Sequence, residues 1–358
     1  MLRPKAAVFR VKEYHPPLGG RAGMRLDFNE NTAGCSPRVL ARLQNLGLEA
    51  LAKYPEREPV ERQLAGRLGV QPEQLLLTNG VDEAIHLLCQ AYVEPEDEVP
   101  LPVPTYAMYE IYAGGAGGIV VSVPAGAEFQ FPAEALAAHF TPRTRLLPIA
   151  NPNNPTGAAA EPDTILKLAA AAPQAAVLVD EAYFEFYGRT LLSEIGHVPN
   201  LFVARTFSKA YGLAGLRAGM LIGPAEQMQM LRRLASPYNV NAAALACLPE
   251  AVADEEYIAS YVAQVRRGRE RVQCELAALG FRFWPSHANF VLFFAGEKRL
   301  PLIESMQRRG ILIRDRHRDP GCAGCVRITI GTDAQTEAAL AALRVAVQEI
   351  GWTAAAGK

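Results

Sequence analysis

Six short, continuously apolar segments recur between residues 74 and 223, and they constrain the fold more than any other feature. They are QLLLT (74–78), GIVVSV (118–123), TRLLPIA (144–150), AAVLVD (175–180), LFVARTF (201–207) and AGMLIG (218–223). Continuous rather than alternating apolar runs are typical of strands in a parallel sheet that is covered on both faces. Helix-like segments such as VDEAIHLLCQAYV lie between several of them. The alternation predicts a large α/β domain with a doubly wound, mostly parallel sheet.

After Pro237 the pattern changes to that of an α+β unit. Residues 242–280 are predicted as one long helix, and strands are predicted at FRFW, ANFVLFF, GILIRD and CVRITIG before a closing helix in TEAALAALRVAVQEI. The first fifty residues lack a strand–helix alternation of their own. We therefore predict a large domain over residues 50–240 and a smaller domain built from both termini, residues 1–49 and 241–358.

The 36 basic and 37 acidic residues leave a net charge of −1. Such a balance gives no electrostatic basis for binding nucleic acid or an anionic membrane. The sequence contains no apolar run of the length that spans a bilayer, and its first residues lack the pattern of a secretion signal. We expect a cytoplasmic protein that acts on small molecules and has neither nucleic-acid nor membrane partners.

The six cysteines are too few and too scattered for a disulfide scaffold in a chain of 358 residues, which fits a reducing compartment. Cys322 and Cys325 form a CxxC motif. A structural zinc ion needs four ligands, and His317 is the only further candidate nearby. We predict a glycine-rich turn at this motif and no metal site.

Chemically distinctive side chains follow two of the predicted strands, and ligands of open α/β sheets bind at the carboxyl ends of strands. Asp180 ends AAVLVD, where a carboxylate can keep a ring nitrogen protonated or simply cap a helix. Lys209 follows LFVARTF, where desolvation would turn its amine into a nucleophile, although an isolated lysine is more often a surface residue. Arg217 follows eight residues later and can hold a phosphate through two hydrogen bonds.

Two further motifs follow predicted strands. NPNNPTG (151–157) predicts a rigid turn that presents the amide of Asn154, or else a plain proline–asparagine turn. TNGVDEAI (78–85) predicts a helix that opens at Gly80 and offers the backbone N–H groups of Val81 and Asp82 to an anion, or else shows ordinary capping.

Taken together, these motifs resemble the fold-type I pyridoxal 5′-phosphate (PLP) dependent aminotransferases. The resemblance rests on NPNNPTG, VDEAY, the SK pair with an arginine eight residues on, and PTYAMY (104–109), and it extends from LDFNEN at 26 to CVRITIGT at 332. Within this class YPE, SPYNVN, GILIRD and CVRITIGT are most similar to the histidinol-phosphate aminotransferase family. Aromatic amino-acid aminotransferases share many of these strings.

The resemblance implies roles for individual residues. It implies that Lys209 holds PLP as a Schiff base and shuttles a proton, and that Asp180 pairs with the ring nitrogen. It implies that Asn154 and Tyr183 bond the phenolic oxygen and that Tyr106 stacks on the ring. The residues implied at the cofactor phosphate are Val81, Asp82, Thr206, Ser208, Arg217 and, from the neighbouring subunit of a homodimer with shared active sites, Tyr54.

Substrate recognition is implied for Arg314, Arg327 and Tyr14. A guanidinium in the predicted strand CVRIT needs an anion, because an unpaired buried charge is costly. The phosphate of histidinol phosphate can occupy that place, with Arg314 as a second clamp unless it pairs with Asp315 or Asp319. The resemblance therefore implies transfer of an amino group between L-histidinol phosphate and 2-oxoglutarate in histidine biosynthesis.

Three other functions stay open at this point. They are aromatic amino-acid aminotransfer on the same scaffold, a PLP lyase such as a threonine-phosphate decarboxylase, and a PLP-fold transcription regulator. SPYNVN resembles the aminotransferases and disfavours the lyase. The first fifty residues lack a helix-turn-helix pattern and a basic balance, which disfavours the regulator.

Overall fold

The structure of the chain, a computed structural model, describes residues 2–15 and 22–353. The part before the central sheet contains β1 (Met24–Arg25), α1 (Pro37–Gln44), α2 (Leu48–Ala52) and α3 (Glu58–Leu68). The central part contains β2 (Leu75–Thr78), α4 (Gly80–Tyr92), β3 (Glu98–Val103), α5 (Met108–Ala116), β4 (Ile119–Pro124), α6 (Ala133–Ala138), β5 (Leu146–Ala150), α7 (Pro162–Ala171), β6 (Ala176–Asp180), α8 (Phe184–Tyr187), β7 (Leu201–Thr206), β8 (Gly219–Ile222) and α9 (Ala225–Arg232). The last part contains α10 (Ala242–Ala253), α11 (Glu255–Ala278), β9 (Arg282–Trp284), β10 (Phe290–Phe294), α12 (Arg299–Arg308), β11 (Ile311–Leu312), β12 (Arg314–Asp315), β13 (Cys325–Thr329) and α13 (Asp333–Glu349). Among these described helices, none is both long enough and apolar enough to cross a membrane.

Five strands form the central sheet in the order β2-β8-β7-β6-β5. Strands β5, β6 and β7 run parallel, whereas β8 runs antiparallel to both of its neighbours. The parallel pair β3-β4 joins the edge of β5 through one bridge between Glu98 and Thr144. All of these strands except β8 therefore point the same way, which confirms the predicted mostly parallel sheet.

The six predicted strands are confirmed. An additional strand, β3, was not predicted because it contains two prolines, which are uncommon within strands. The N–H of Glu98 bonds the carbonyl of Arg143 just before β5, at 2.9 Å. Because N–H groups alternate in direction along a strand, Pro100 and Pro102 occupy positions whose N–H would also face β5. Proline has no N–H, so β3 pairs continuously with β4 and only at its start with β5.

Successive residues of the central strands enter two separate apolar cores. On β2, Leu75 and Leu77 pack in one core, whereas Leu76 packs in the other. On β6, Val177 and Val179 face the first core and alternate in the same way. Helices cover both faces, so the continuous apolar runs of the sequence follow from burial on both sides.

The C-terminal part forms a four-stranded antiparallel sheet in the order β12-β13-β10-β9. The N-terminal β1 pairs with β11 in parallel, Met24 lying opposite Ile311. Leu26 then donates its N–H to Leu312 and accepts one from Thr329, both at 2.9 Å. The segment before the central sheet is therefore hydrogen-bonded to the C-terminal part of the chain.

Residues 242–280 form two helices, so the prediction of one long helix is wrong. Asp254 breaks the helix with a ψ of 64°, and its carboxylate caps α11. Leu248 of α10 packs in the same core as the central strands, as does Val39 of α1. We propose that the large domain continues through α10 and that the change to the small domain falls at Asp254, not at residue 240.

Candidate active site

The carboxyl ends of β2, β5, β6 and β7 meet at one edge of the central sheet. Strand pairing fixes this neighbourhood, since Gly219 of β8 lies opposite both Thr78 and Thr206, the last residues of β2 and β7. Asp180 ends β6, which lies next to β7. Each of the four strand-end motifs singled out in the sequence is therefore brought to the same edge.

An anion-binding corner forms where Arg217 crosses the start of α4. A Cβ on Gly219 would lie 2.8 Å from the amide nitrogen of Val81, and a Cβ on Gly80 would lie 2.8 Å from Arg217 Nη2. The lack of a side chain at Gly80 therefore lets the guanidinium approach the helix end, and the lack of one at Gly219 lets β8 pack against the same helix end. The first N–H groups of a helix have no partner within it, so this corner presents several donors to one anion.

Ser208 and Thr206 complete this corner with buried hydroxyl groups. Thr206 Oγ1 accepts the backbone N–H of Ser208 at 3.1 Å, which holds the turn after β7 in place. The side chain of Asp82 also enters the corner, because its Oδ2 accepts from Arg217 at 2.9 Å and its Oδ1 accepts from Tyr106 Oη at 2.8 Å. The carboxylate thereby orients both the guanidinium and the Tyr106 ring.

Asp180 is a buried carboxylate that accepts two hydrogen bonds. Tyr109 Oη donates to Oδ2 at 2.7 Å, and the N–H of Ala182 donates to Oδ1 at 3.0 Å. Burial raises the pKa of Asp180 to about 6, and the bond from Tyr109 opposes that rise. Tyr109 was not among the predicted site residues; it lies in the first turn of α5 and packs edge-on against Tyr106, with ring centroids 5.8 Å apart.

Lys209 lies in the middle of this edge, with Nζ donating to the carbonyl of Phe28 at 3.3 Å. Burial, followed by the positive charge of Arg327, lowers the pKa of Lys209 to about 8. A lysine that loses proton affinity in this way is available as an amine nucleophile and as a base.

Tyr183 is buried and packs edge-on against Phe290, with ring centroids 5.3 Å apart. Its hydroxyl accepts from Asn29 Nδ2 at 2.9 Å. Asn29 in turn accepts through its Oδ1 from Thr329 Oγ1 at 3.1 Å. No local pattern singled out Asn29 beyond its place in LDFNEN, because its contact with Tyr183 spans 154 residues.

Arg327 and Asn154 lie side by side, since Arg327 Nη1 donates to Asn154 Oδ1. Arg327 Nη2 donates to the carbonyl of Asp27 at 2.8 Å. Burial lowers the pKa of Arg327 to about 9, and the nearby Arg316 adds to that effect. The structure thus places the predicted substrate arginine against the turn predicted to face the cofactor.

Arg314 lies directly opposite Arg327 in the pairing of β12 with β13. Its guanidinium lies 4.9 Å from the centre of the Phe28 ring, and Nη2 donates to Tyr14 Oη at 3.4 Å. Asp315, one of the two partners considered for Arg314, pairs instead with Arg299 at 3.6 Å. All three residues predicted to bind substrate are therefore neighbours in the structure.

The side chains at this edge fit the groups of PLP. The corner at Arg217 suits a phosphate, the buried Asp180 carboxylate suits a protonated ring nitrogen, and the Lys209 amine suits an aldehyde carbon. Tyr183 and Asn154 offer polar side chains suited to a phenolic oxygen. The fit rests on the chemistry of the donor set and on the glycine-lined approach to α4.

The sequence profile of the family described as Aminotransferase class I and II matches residues 21–343. The chain belongs to the class I and II aminotransferases. Two similar proteins are the histidinol-phosphate aminotransferases of Symbiobacterium thermophilum, 35% identical over 96% of this chain and 99% of the relative, and of Roseiflexus castenholzii, 37% identical over 96% and 97%. The crystal structure of histidinol-phosphate aminotransferase from Sinorhizobium meliloti in complex with pyridoxal 5′-phosphate is 26% identical and superimposes with a TM-score of 0.88 over 98% of this chain and 99% of that one. This likeness confirms the predicted fold-type I architecture.

Tyr54 is the residue predicted to reach the site of a neighbouring subunit, and in the aminotransferase chain it lies on the surface. Its side chain is 78% exposed and stacks on Tyr238 with ring centroids 4.3 Å apart. Its suggested contact with a cofactor phosphate would lie in a neighbouring subunit and stays a prediction.

The CxxC motif of the aminotransferase forms a buried turn just before β13. Cys322 and Cys325 are both free thiols. His317 uses Nδ1 to accept the N–H of Gly324 at 2.9 Å, so it is a structural partner of the turn. Within residues 2–15 and 22–353, no group of three or more His, Cys, Asp or Glu side chains has an arrangement that could hold a metal ion.

We predict that Tyr109→Phe raises the pKa of Asp180 above its value of about 6. The lost hydrogen bond stabilises the ionised form, and a bond to a charged group contributes about 1.5–3 kcal/mol, so a rise of about one to two units is expected. Carbon-13 NMR titration of the Asp180 carboxyl in cofactor-free protein measures it. Tyr92→Phe, which removes a hydroxyl bonded to Gln227, is the control. An unchanged Asp180 pKa in Tyr109→Phe would contradict the assignment.

Proposed function

We propose that this aminotransferase uses PLP held by Lys209 to transfer the amino group of L-histidinol phosphate to 2-oxoglutarate, a step of histidine biosynthesis. The observation that carries the choice of substrate is the facing pair Arg314 and Arg327, which directs two guanidinium groups to one place beside the site. The names of the relatives described above support the same choice.

When bound, PLP supplies an electron sink for the charge that develops when the carbon bearing the amino group loses its proton. The amine of Lys209 would take that proton from Cα and deliver it at C4′. Its pKa of about 8 lies nearer to neutral than that of an ordinary lysine, so the deprotonated form is available at a lower cost. The Asp180 carboxylate would stabilise a positive charge on the ring nitrogen through a charge-assisted hydrogen bond.

The pair of arginines favours a phosphate over a carboxylate. Among the described residues, Arg314 Nη1 and Arg327 Nε are buried and have no hydrogen-bond partner. A dianionic phosphate can accept charge-assisted bonds from both guanidinium groups, whereas one carboxylate satisfies fewer donors. The 2-oxo acid would use Arg327 for its carboxylate, as the resemblance implies.

We also propose a homodimer in which Tyr54 reaches the neighbouring site. Large apolar side chains are exposed around it, with exposed fractions of 83% for Leu48, 66% for Leu51 and 53% for Tyr238. A contiguous exposed apolar patch marks a protein interface more often than free surface. The free thiols of all six cysteines support a further proposal, that the enzyme works in the reducing cytoplasm.

The cofactor assignment predicts that borohydride fixes PLP covalently to Lys209. The desolvated amine is close enough to both Arg217 and Asp180 for their charges to shift its pKa, which supports Lys209 as the lysine that bonds the aldehyde carbon. Peptide mapping by mass spectrometry after reduction locates the adduct. Lys167→Ala, at a site on α7 remote from this edge, serves as the control and should leave the adduct intact. An adduct on another lysine would overturn the assignment.

The substrate assignment predicts that Arg314→Ala reduces kcat/KM for histidinol phosphate by about ten- to hundredfold, because one charge-assisted bond in a dry site contributes about 1.5–3 kcal/mol. Phenylalanine, whose single carboxylate can use Arg327 alone, should be much less affected. Steady-state kinetics with both donors and 2-oxoglutarate as acceptor measure the two ratios. Equal losses for both donors, or faster reaction of phenylalanine in the unaltered enzyme, would favour the aromatic aminotransferase.

The proposed dimer predicts that mixing two impaired variants restores part of the activity. Mixing Tyr54→Phe with Lys209→Ala should form hybrid dimers in which one site carries both lesions and the other carries neither. Activity of the mixture should exceed the mean of the separate variants, and light scattering should give a dimer. A monomer in solution, or no gain on mixing under conditions that exchange subunits, would contradict shared sites.

A further inference from the structure

A third arginine lies on the same sheet face as the two predicted substrate arginines. Arg314 faces Arg327 across the β12-β13 ladder, and the N–H of Arg316 continues the ladder by bonding the carbonyl of Cys325 at 3.0 Å. Side chains two residues apart on a strand point to one face, so Arg316 and Arg314 share a face with Arg327. Asp315, between them, points the other way and pairs with Arg299.

Arg316 is drawn inward, not out to solvent. Its side chain is only 13% exposed, and it forms an ion pair with Asp319, whose side chain is 26% exposed. Its positive charge adds to the burial that lowers the pKa of Arg327 and of Arg314, and it opposes the burial that raises the pKa of Tyr183.

Each of the three guanidinium groups keeps a buried N–H without a partner among the described residues. The atoms are Arg314 Nη1, Arg316 Nε and Arg327 Nε. A buried donor left unpaired costs about 1–3 kcal/mol, so three of them at one place indicate a missing acceptor. The carboxylates of Asp319 and Asp27 face the group as well, and both favour the charged form of Arg314.

We propose that Arg316 is a third phosphate-binding residue of this site and that Asp319 is the positioning residue that holds its guanidinium on the pocket face. A phosphate monoester offers three non-bridging oxygen atoms, and three guanidinium groups can each donate to one of them. A carboxylate has two oxygen atoms and would leave one arginine unsatisfied. The inference rests on the proposed function and deepens it by naming what distinguishes a phosphorylated donor from a carboxylate.

The test compares histidinol phosphate with histidinol, which lacks only the phosphate. In Arg316→Gln, kcat/KM for histidinol phosphate should fall about ten- to hundredfold, mainly through KM, while kcat/KM for histidinol stays within about twofold. The inhibition constant of inorganic phosphate against histidinol turnover should rise in parallel. Arg318→Gln makes the same charge change at an exposed position two residues away and should alter neither donor.

A double variant separates direct binding from a side effect. Arg316→Gln alone leaves Asp319 free to pair with Arg314 or Arg327, which would also weaken phosphate binding. Arg316→Gln with Asp319→Asn removes that carboxylate charge, so a persistent loss supports direct binding by Arg316, and recovery of the unaltered preference would overturn it. If Arg316→Gln does not fold, Arg316→Lys, which keeps one charge but loses the guanidinium fork, should give an intermediate preference, and full preference would overturn the proposal.

Different outcomes would contradict the proposed function and the role of Arg316. If the unaltered enzyme does not prefer histidinol phosphate over histidinol, the proposed function fails. If that preference is present and Arg316→Gln keeps it, only the role of Arg316 fails.

Discussion

The burial of Arg327 in the small sheet is the constraint on which the rest of the site depends. Arg327 is 4% exposed, and its guanidinium donates hydrogen bonds to two neutral oxygen atoms, the amide oxygen of Asn154 and the carbonyl oxygen of Asp27. A buried guanidinium held in this way is costly unless an anion joins it. The NPNNPTG turn after β5, the N-terminal segment and β13 therefore meet around one charge, at the place where we propose that a charged substrate binds.

The same exclusion of water shifts the pKa values of two other groups toward neutral pH, one from above and one from below. Burial lowers the pKa of Lys209 to about 8 and raises the pKa of Asp180 to about 6. A proton can then be exchanged at the amine near neutral pH, while the carboxylate stays predominantly charged there. The two donors on Asp180, Tyr109 and the N–H of Ala182, limit the rise and keep a negative charge where a cationic ring nitrogen would need it.

The parts of this site that the sequence predicts are those fixed by local position. Asp180 ends one apolar strand and Lys209 follows another, and the rule that strand ends share one edge is enough to bring them together. Asn29 and Arg316 escaped prediction because their roles depend on pairing between distant segments, which no local pattern records. The break at Asp254 escaped it because the residues on either side are all compatible with a helix, and packing against the central core decides where the helix ends.

The hydrogen bonds between the two ends of the chain have a consequence for synthesis. Arg327 donates to the carbonyl of Asp27 and Asn29 donates to Thr329, both across 300 residues. Contacts of such sequence separation form late, because the loop they close costs conformational entropy before it yields any stabilisation. During translation the central sheet can fold first, as domains do when they emerge. The N-terminal strand β1 stays unpaired until β11, near the end of the chain, has been synthesised. A growing or truncated chain would therefore carry the lysine and its anion corner without the residues that we propose to select a substrate.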